Sequence, residues 1–471
     1  MNPATPEPSR QHAPSASLTA GLVALCRRPV ALACRRRALL HWIDWMGCVA
    51  AAARAPAAQA IARWRPPIEG AAVPALLGTV RDPFHALLLD AGPANIEEMD
   101  DLDRQGILHP GPAVMPPLAL LARQRPRSAG QVLDAVVRGY EVMIRIGRAV
   151  GRTHYHHWHT TATCGTFGAA AAAADLLALD DAQTLWALGN AGTQAAGLWQ
   201  CRLEPVMSKQ LHTAHAGWAG LNSASLATAG FTGASAILEG ERGFFAGLCR
   251  DGHPDAVLSP ADAWLIEETS FKPWPACRHT HATIDGVLAL RAALGHRPIP
   301  FVQARVESFG DAVTICDNPE PRTRTEAKFS LQYCVAAAAA LGPLSPSHFD
   351  DACIERPDLR EAARRVEVAA DPRIDRAYPR HYGARVTMRL FDGRELRHEV
   401  ADALGDPERP LDAAAVLHKA ANLMAYGGVA EGRLAAALEA ARTLLADEAA
   451  MSRDFPPALL APLLDVVQAG R

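Results

Sequence analysis

The spacing of apolar residues changes twice along this chain, and that change constrains the fold more than any other feature. From about Leu18 to Thr269 the spacing is helical. "SAGQVLDAVVRGYEVMIRIGRAVG" puts Val132, Ala135, Val136, Gly139, Tyr140, Met143 and Ile146 on one face, three to four residues apart. After about Ser270 the period becomes two, in "FVQARVESF", "RRVEVAA" and "ARVTMRLFDGRELRHEV". The last reads as a hairpin turning at Asp392-Gly393. Helical spacing returns at Leu411. The expected fold is mainly α: a large all-helical domain built from residues 18–269 plus 403–471, an inserted smaller α+β lid domain at 270–402, and a disordered tail at 1–17.

Local signals refine this reading. "GTFGAAAAAADLLALD" predicts a helix so poor in side-chain bulk that neighbours pack closely on it. Asp180 and Asp181 are N-cap candidates for the next helix. One helix is expected over "EAKFSLQYCVAAAAALG" within the lid. A further short helix is expected to end near Gly240.

Charge and composition exclude whole classes of partner. The 471 residues carry a net charge of −3, without the basic excess of a nucleic-acid binder. No apolar run reaches membrane length. The first sixteen residues are polar and Pro-rich and read as a tail, not a signal peptide. Ten cysteines without a C-x-x-C pair fit reduced thiols in a cytoplasm.

Only four of the 47 basic residues are lysines: Lys209, Lys272, Lys328 and Lys419. A chain that otherwise uses arginine keeps lysine where a compact, tunable ammonium is needed.

Several stretches carry chemistry. "HYHHWHTTATCGTFGAA" crowds four histidines into six positions ahead of a small-residue helix. Adjacent histidines are a poor ligand pattern, so most read as capping or core residues. His159, followed by Thr160 and Thr161, stands at the helix start, where the dipole favours neutral imidazole. His109 stands likewise before a Pro-containing helix start, after the acids Glu97, Glu98, Asp100, Asp101 and Asp103. "FKPWPACRHTHATID" supplies Lys272, Arg278, His279 and His281, and the lid helix supplies Tyr333. Together these are cations for an anionic substrate, neutral bases and a phenol. There is no nucleophile elbow.

In this order the blocks "EMDDLDRQGILHPGPAVMPPLALL", "WHTTATCGTFGAAAAAADLLALD", "KQLHTAHAGWAGLNSASLATAGFTG", "FKPWPACRHTHATIDGVL" and "AKFSLQYCVAAAAALG" resemble the 2-methylcitrate dehydratase (MmgE/PrpD) family. The resemblance implies a helical domain with a smaller lid, a homodimer, and chemistry without metal or other cofactor. It implies catalytic roles for His109, His159, Lys209, Lys272 and Tyr333, and an acidic site position at Glu98; Asp101, Thr161 and Arg278 are expected beside Glu98 as substrate contacts. Asn95 and Leu102 depart from the family pattern, where many relatives have His and Thr. The activity expected first is dehydration of a small polycarboxylate such as a citrate or methylcitrate. The alternatives are epimerisation of an iminodisuccinate-like dicarboxylate, cis-aconitate-type decarboxylation, and a non-catalytic dicarboxylate-binding relative.

Overall fold

The computed structural model describes residues 17–68, 70–204 and 206–467. The tail expected at residues 1–17 lies outside them except for Ser17. That residue is ordered: its hydroxyl accepts from Ala20 N and caps the Leu18–Cys26 helix.

The chain builds a mainly α molecule with two principal apolar cores. The larger draws on residues from Leu18 to Phe271 and again from Val416 to Leu463. Its centre is the helix Thr160–Leu176, with nearly every residue buried. The helices Gly111–Gln124, Ala129–Ala149, Asp181–Gly192 and Ser208–Thr228 pack around it. Small residues make this possible. A Cβ added at Gly139 would lie 2.8 Å from Ala172 Cβ and 3.0 Å from the Gly168 carbonyl, and one at Gly220 only 2.5 Å from Ala170 N. The backbones are already in contact, so dispersion replaces bulky interdigitation. Local signals agree: Ser128 with Gln131, and Asp180 with Gln183, each form a reciprocal capping box. After the sheet, the helix Ala413–Gly427 packs on Leu32–Ala51, so a late segment completes the body begun by an early one.

A short hairpin, β1 (Val73–Ala75) and β2 (Gly78–Val80), decorates the body. The smaller core, from Ala276 to Leu390, is built on a four-stranded sheet. Its strands are β3 (Phe301–Ser308), β4 (Val366–Ala370), β5 (Ala384–Leu390) and β6 (Glu395–Val400), in the order β4-β3-β5-β6. β3 runs parallel to β4 and antiparallel to β5, with Val306 opposite both Val368 and Val386. Gly393, at φ +86°, closes the β5–β6 hairpin. The helices His281–Ala293 and Leu331–Leu341 cover the sheet.

Two local expectations fail. The lid segment expected as one helix splits into Arg324–Lys328 and Leu331–Leu341, because Ser330 turns extended and caps the second piece through Tyr333 N. No helix ends at Gly240. There the chain forms turns held by Glu239, whose carboxylate accepts from Ser17 Oγ and from Thr19 N and Oγ1.

The loop from Asn95 to Pro110 runs along the boundary between the two cores. Leu102 and Ser270 exchange backbone hydrogen bonds of 3.0 and 2.8 Å, and Phe271 N donates to Gly405 O. Both chain crossings between body and lid are thereby fastened beside this loop. Among the described residues no helix is long and apolar enough to cross a membrane.

Candidate active site

All four lysines of the chain converge on five consecutive residues of that loop. Lys328 donates to the Ile96 carbonyl and, at 2.5 Å, to the Glu97 carboxylate. Lys419 donates to the Met99 carbonyl and pairs with Asp44, each at 2.6–2.7 Å. Lys209, on the first turn of Ser208–Thr228, binds one oxygen of Glu98 at 2.6 Å. Lys272 binds the other at 3.2 Å and reaches Asp100 at 3.3 Å. Lys272 comes from the crossing segment and is 1% exposed, while the Lys209 side chain keeps 25% of its surface open.

The loop conformation these lysines hold is not one the residues favour. Glu98 adopts φ +54°, the left-handed region, which costs a non-glycine residue of order 1–3 kcal/mol. The ion pairs offset that cost. Burial pushes the Glu98 carboxyl up, but Lys209 and Lys272 outweigh it and hold the group well below the usual carboxylate range. Asp100 is depressed in the same way, with His109 and Lys272 overcoming burial. For Lys272, burial opposes the ammonium form, and Asp100 and Glu98 reverse that and raise it. Two ammonium groups thus stand against two carboxylates within one cluster.

Two imidazoles complete the cluster. His109 Nδ1 lies 2.8 Å from the Asp101 carbonyl and 3.0 Å from Asp100 Oδ2. Both partners are acceptors, so Nδ1 carries the proton and Nε2 is left as the functional nitrogen. Asp100 stands behind His109 as an orienting carboxylate does behind a catalytic imidazole. His159 occupies the N-cap position of Thr160–Leu176 and is 2% exposed. Its ring centroid lies 4.2 Å from that of Trp199 at a tilt of 31°, and its Nδ1 lies 3.3 Å from His212 Nδ1. Burial, then the Lys209 charge and the other two histidines, push it well below its usual value, so it is neutral.

The structure thus brings together Glu98, His109, His159, Lys209 and Lys272. Four other candidates fall elsewhere. Asp101 faces the body, where its carboxylate takes Tyr140 Oη at 2.5 Å, Gly111 N at 3.0 Å and His41 Nδ1 at 2.8 Å. It is saturated by internal donors. Thr161 is fully buried, and its Oγ1 accepts from His109 N, so it places the His109 backbone. Arg278 pairs with Asp406 at 2.5 Å and donates to the Leu404 carbonyl, bracing the second crossing. Tyr333 lies in the lid core against Phe349, its hydroxyl donating to the His348 carbonyl at 2.5 Å.

A phenol beside Trp199 is that of Tyr155, from the histidine-rich helix Arg152–His157. Its ring meets Trp199 edge-on at 6.1 Å. Burial, against the opposing pull of Arg202 and with help from Cys277 and Glu98, pushes it up to about 12. The remaining histidines of that run scatter. His154 is buried against Thr163 and Leu248, and His156 and His157 are exposed. Among the described residues, His381, Asp402 and Glu408 alone group like metal ligands. The Arg104 guanidinium sits among them, 3.2 Å from Asp402 and in contact with Glu408.

Sequence reasoning missed Asp100 as the partner of His109, and Trp199, Tyr155 and His212. Lysine scarcity was the signal for Lys328 and Lys419, but it carried no position. Nothing in the spacing marks which acid of Asp100-Asp101 turns outward.

Two family models match: the MmgE/PrpD N-terminal domain over residues 23–256 and the MmgE/PrpD C-terminal domain over residues 274–444. Among curated proteins, the chain is 29% identical to cis-aconitate decarboxylase of Homo sapiens over 277 residues, covering 56% of this chain and 57% of that protein. For the Mus musculus enzyme of the same name the values are 27% over 316 residues, and 64% of each. For that of Aspergillus terreus they are 25% over 407 residues, 80% and 82%. The match thus spans less than two thirds of the two mammalian proteins and about four fifths of the fungal one.

Proposed function

Because this chain belongs to the MmgE/PrpD family, we propose that it is a lyase that decarboxylates an aconitate-like tricarboxylate in the cleft between body and lid. The observation that carries this reading is the convergence of Lys209 and Lys272 on one loop beside His109, whose Nε2 is uncommitted. The names of its relatives favour decarboxylation over the dehydration expected from the sequence.

The chemistry follows from where charge develops. In an aconitate, the bond from the saturated carbon to its carboxylate breaks and carbon dioxide leaves. The electron pair becomes a new carbon–carbon double bond. The original double bond shifts its pair onto the carbon beside another carboxylate, and a proton arrives there. This allylic route avoids a localised vinyl carbanion. The transient charge spreads into the neighbouring carboxylate, where fixed ammonium groups stabilise it most. Lys209 and Lys272 take that role. His109, with its Nδ1–H held by Asp100 and the Asp101 carbonyl, takes up a solvent proton at Nε2 before turnover and passes that proton to the carbon, returning to the neutral Nδ1–H form. His159, neutral and wedged against Trp199, supplies a hydrogen bond without repelling His109.

Dehydration of a hydroxy-tricarboxylate is the second reading, favoured by the neutral state of His159, which suits a base for a proton next to a carboxylate. Separate incubations with cis-aconitate, 2-methylcitrate and iminodisuccinate distinguish the readings. Carbon dioxide with loss of one carboxylate supports decarboxylation. A new alkene without carbon dioxide supports dehydration. Change of optical rotation alone supports epimerisation.

A further inference from the structure

Within the cluster the charges already balance: Glu98 and Asp100 neutralise Lys209 and Lys272, and His159 is uncharged. A trianion entering such a cleft needs a cation that no protein carboxylate holds. Among the described residues at this boundary, Arg202 fits. It ends the short turn Trp199–Arg202, which is anchored to the site by its own backbone: His159 N donates to Gly197 O at 2.8 Å, and Trp158 bridges to Leu198. The Arg202 guanidinium stands 5.8 Å from the Tyr155 ring and 5.8 Å from the Trp199 ring, and Trp199 itself packs against His159 at 4.2 Å. Aromatic faces steer a guanidinium without neutralising it. No carboxylate lies within ion-pairing distance of Arg202 among the described residues. Beside it, Trp199 Nε1 is buried with no acceptor, although a buried indole N–H normally finds one. The Arg202 charge also acts across the boundary on His279 and Cys316 of the lid.

We propose that Arg202, with the Trp199 indole N–H beside it, receives the substrate carboxylate that Lys209 and Lys272 do not hold, and so makes the cleft select tricarboxylates over dicarboxylates. This rests on the polycarboxylate reading above. Arginine suits the task because its planar fork matches a carboxylate in a bidentate way.

The test is calorimetric binding of two inert ligands, tricarballylate and glutarate, which differ only by one carboxylate. Wild type binds tricarballylate more tightly than glutarate. Arg202→Leu weakens tricarballylate binding by about 10- to 100-fold, the worth of one hydrogen-bonded charge pair, and changes glutarate binding by less than about twofold on the same scale. Arg202→Lys restores part of the difference. Arg202 is exposed, so both variants keep the fold, which their melting temperatures verify. An equal loss for both ligands, or none for either, overturns the assignment while leaving the polycarboxylate reading intact. Failure of the wild type to bind tricarballylate contradicts that reading, and this one with it.

Discussion

Lys209 and Lys272 grip opposite oxygens of the same Glu98 carboxylate, at 2.6 and 3.2 Å. One ammonium comes from a helix of the body and the other from the segment that crosses to the lid. Glu98 is therefore held by charge from both sides, as its neighbour Glu97 is held by Lys328 and Arg324 of the lid.

The two lysines are expected to differ in what their loss does. Lys272 is wholly buried against Glu98 and Asp100, so Lys272→Met takes one buried cation from two carboxylates and leaves Glu98 to Lys209 and Asp100 to His109. Urea unfolding is expected to show a loss of about 3–5 kcal/mol. Lys209 is a quarter exposed. Lys209→Met is expected to cost about 1 kcal/mol and to act mainly on KM and kcat. Equal destabilisation by both variants contradicts this division.

His109 and Asp100 are expected to act as a unit. His109→Ala lowers kcat by about 10²–10⁴-fold with the fold retained. Asp100→Asn keeps the size of the side chain but removes the carboxylate behind His109 Nδ1. It is expected to lower kcat in wild type and to have little further effect in His109→Ala, a non-additivity that independent roles for the two residues do not produce.

Much of this was legible beforehand. The two changes of apolar period, the Asp392-Gly393 hairpin and the small-residue helix all appear in the structure, because each is set by local spacing. His109, His159, Lys209 and Lys272, each named from a sequence block, lie around one loop. What was not legible depends on side-chain direction in irregular backbone. Asp100 and Asp101 are neighbours, yet one faces His109 and the other is consumed by Tyr140, His41 and Gly111 N. Tyr333 and Tyr155 are both tyrosines on helices, and only the packing of the lid core decides that the first is internal.

Acid stability is expected to follow the buried histidines. His41, stacked 4.2 Å from Phe271, falls from 6.5 to about 4, chiefly through burial, with Asp101 pulling the other way. A histidine depressed in this way binds fewer protons folded than unfolded. Its contribution is complete above pH 6.5 and is lost as pH falls toward 4, by roughly 3 kcal/mol in all. His41→Asn, which keeps a donor for Asp101, is expected to flatten the fall of Tm over that window. An unchanged slope contradicts the assignment.

Close packing at the body's centre sets a steric limit. In Gly139→Ala the new methyl lies 2.8 Å from Ala172 Cβ and Val114 Cγ1. The expected cost is about 1–3 kcal/mol by denaturant titration, with helical circular dichroism unchanged. A neutral or stabilising result shows that the helices separate freely.

The central claim, that His109 protonates the carbon left electron-rich by decarboxylation between Lys209 and Lys272, is tested most directly by carbon NMR of cis-aconitate turnover in deuterium oxide. The account predicts release of carbon dioxide, one deuterium beside a retained carboxylate in the product, and a rate about 10²–10⁴-fold lower in His109→Ala. Cis-aconitate that keeps all three carboxylates under wild-type enzyme, whether unchanged, hydrated or merely deuterated, contradicts it.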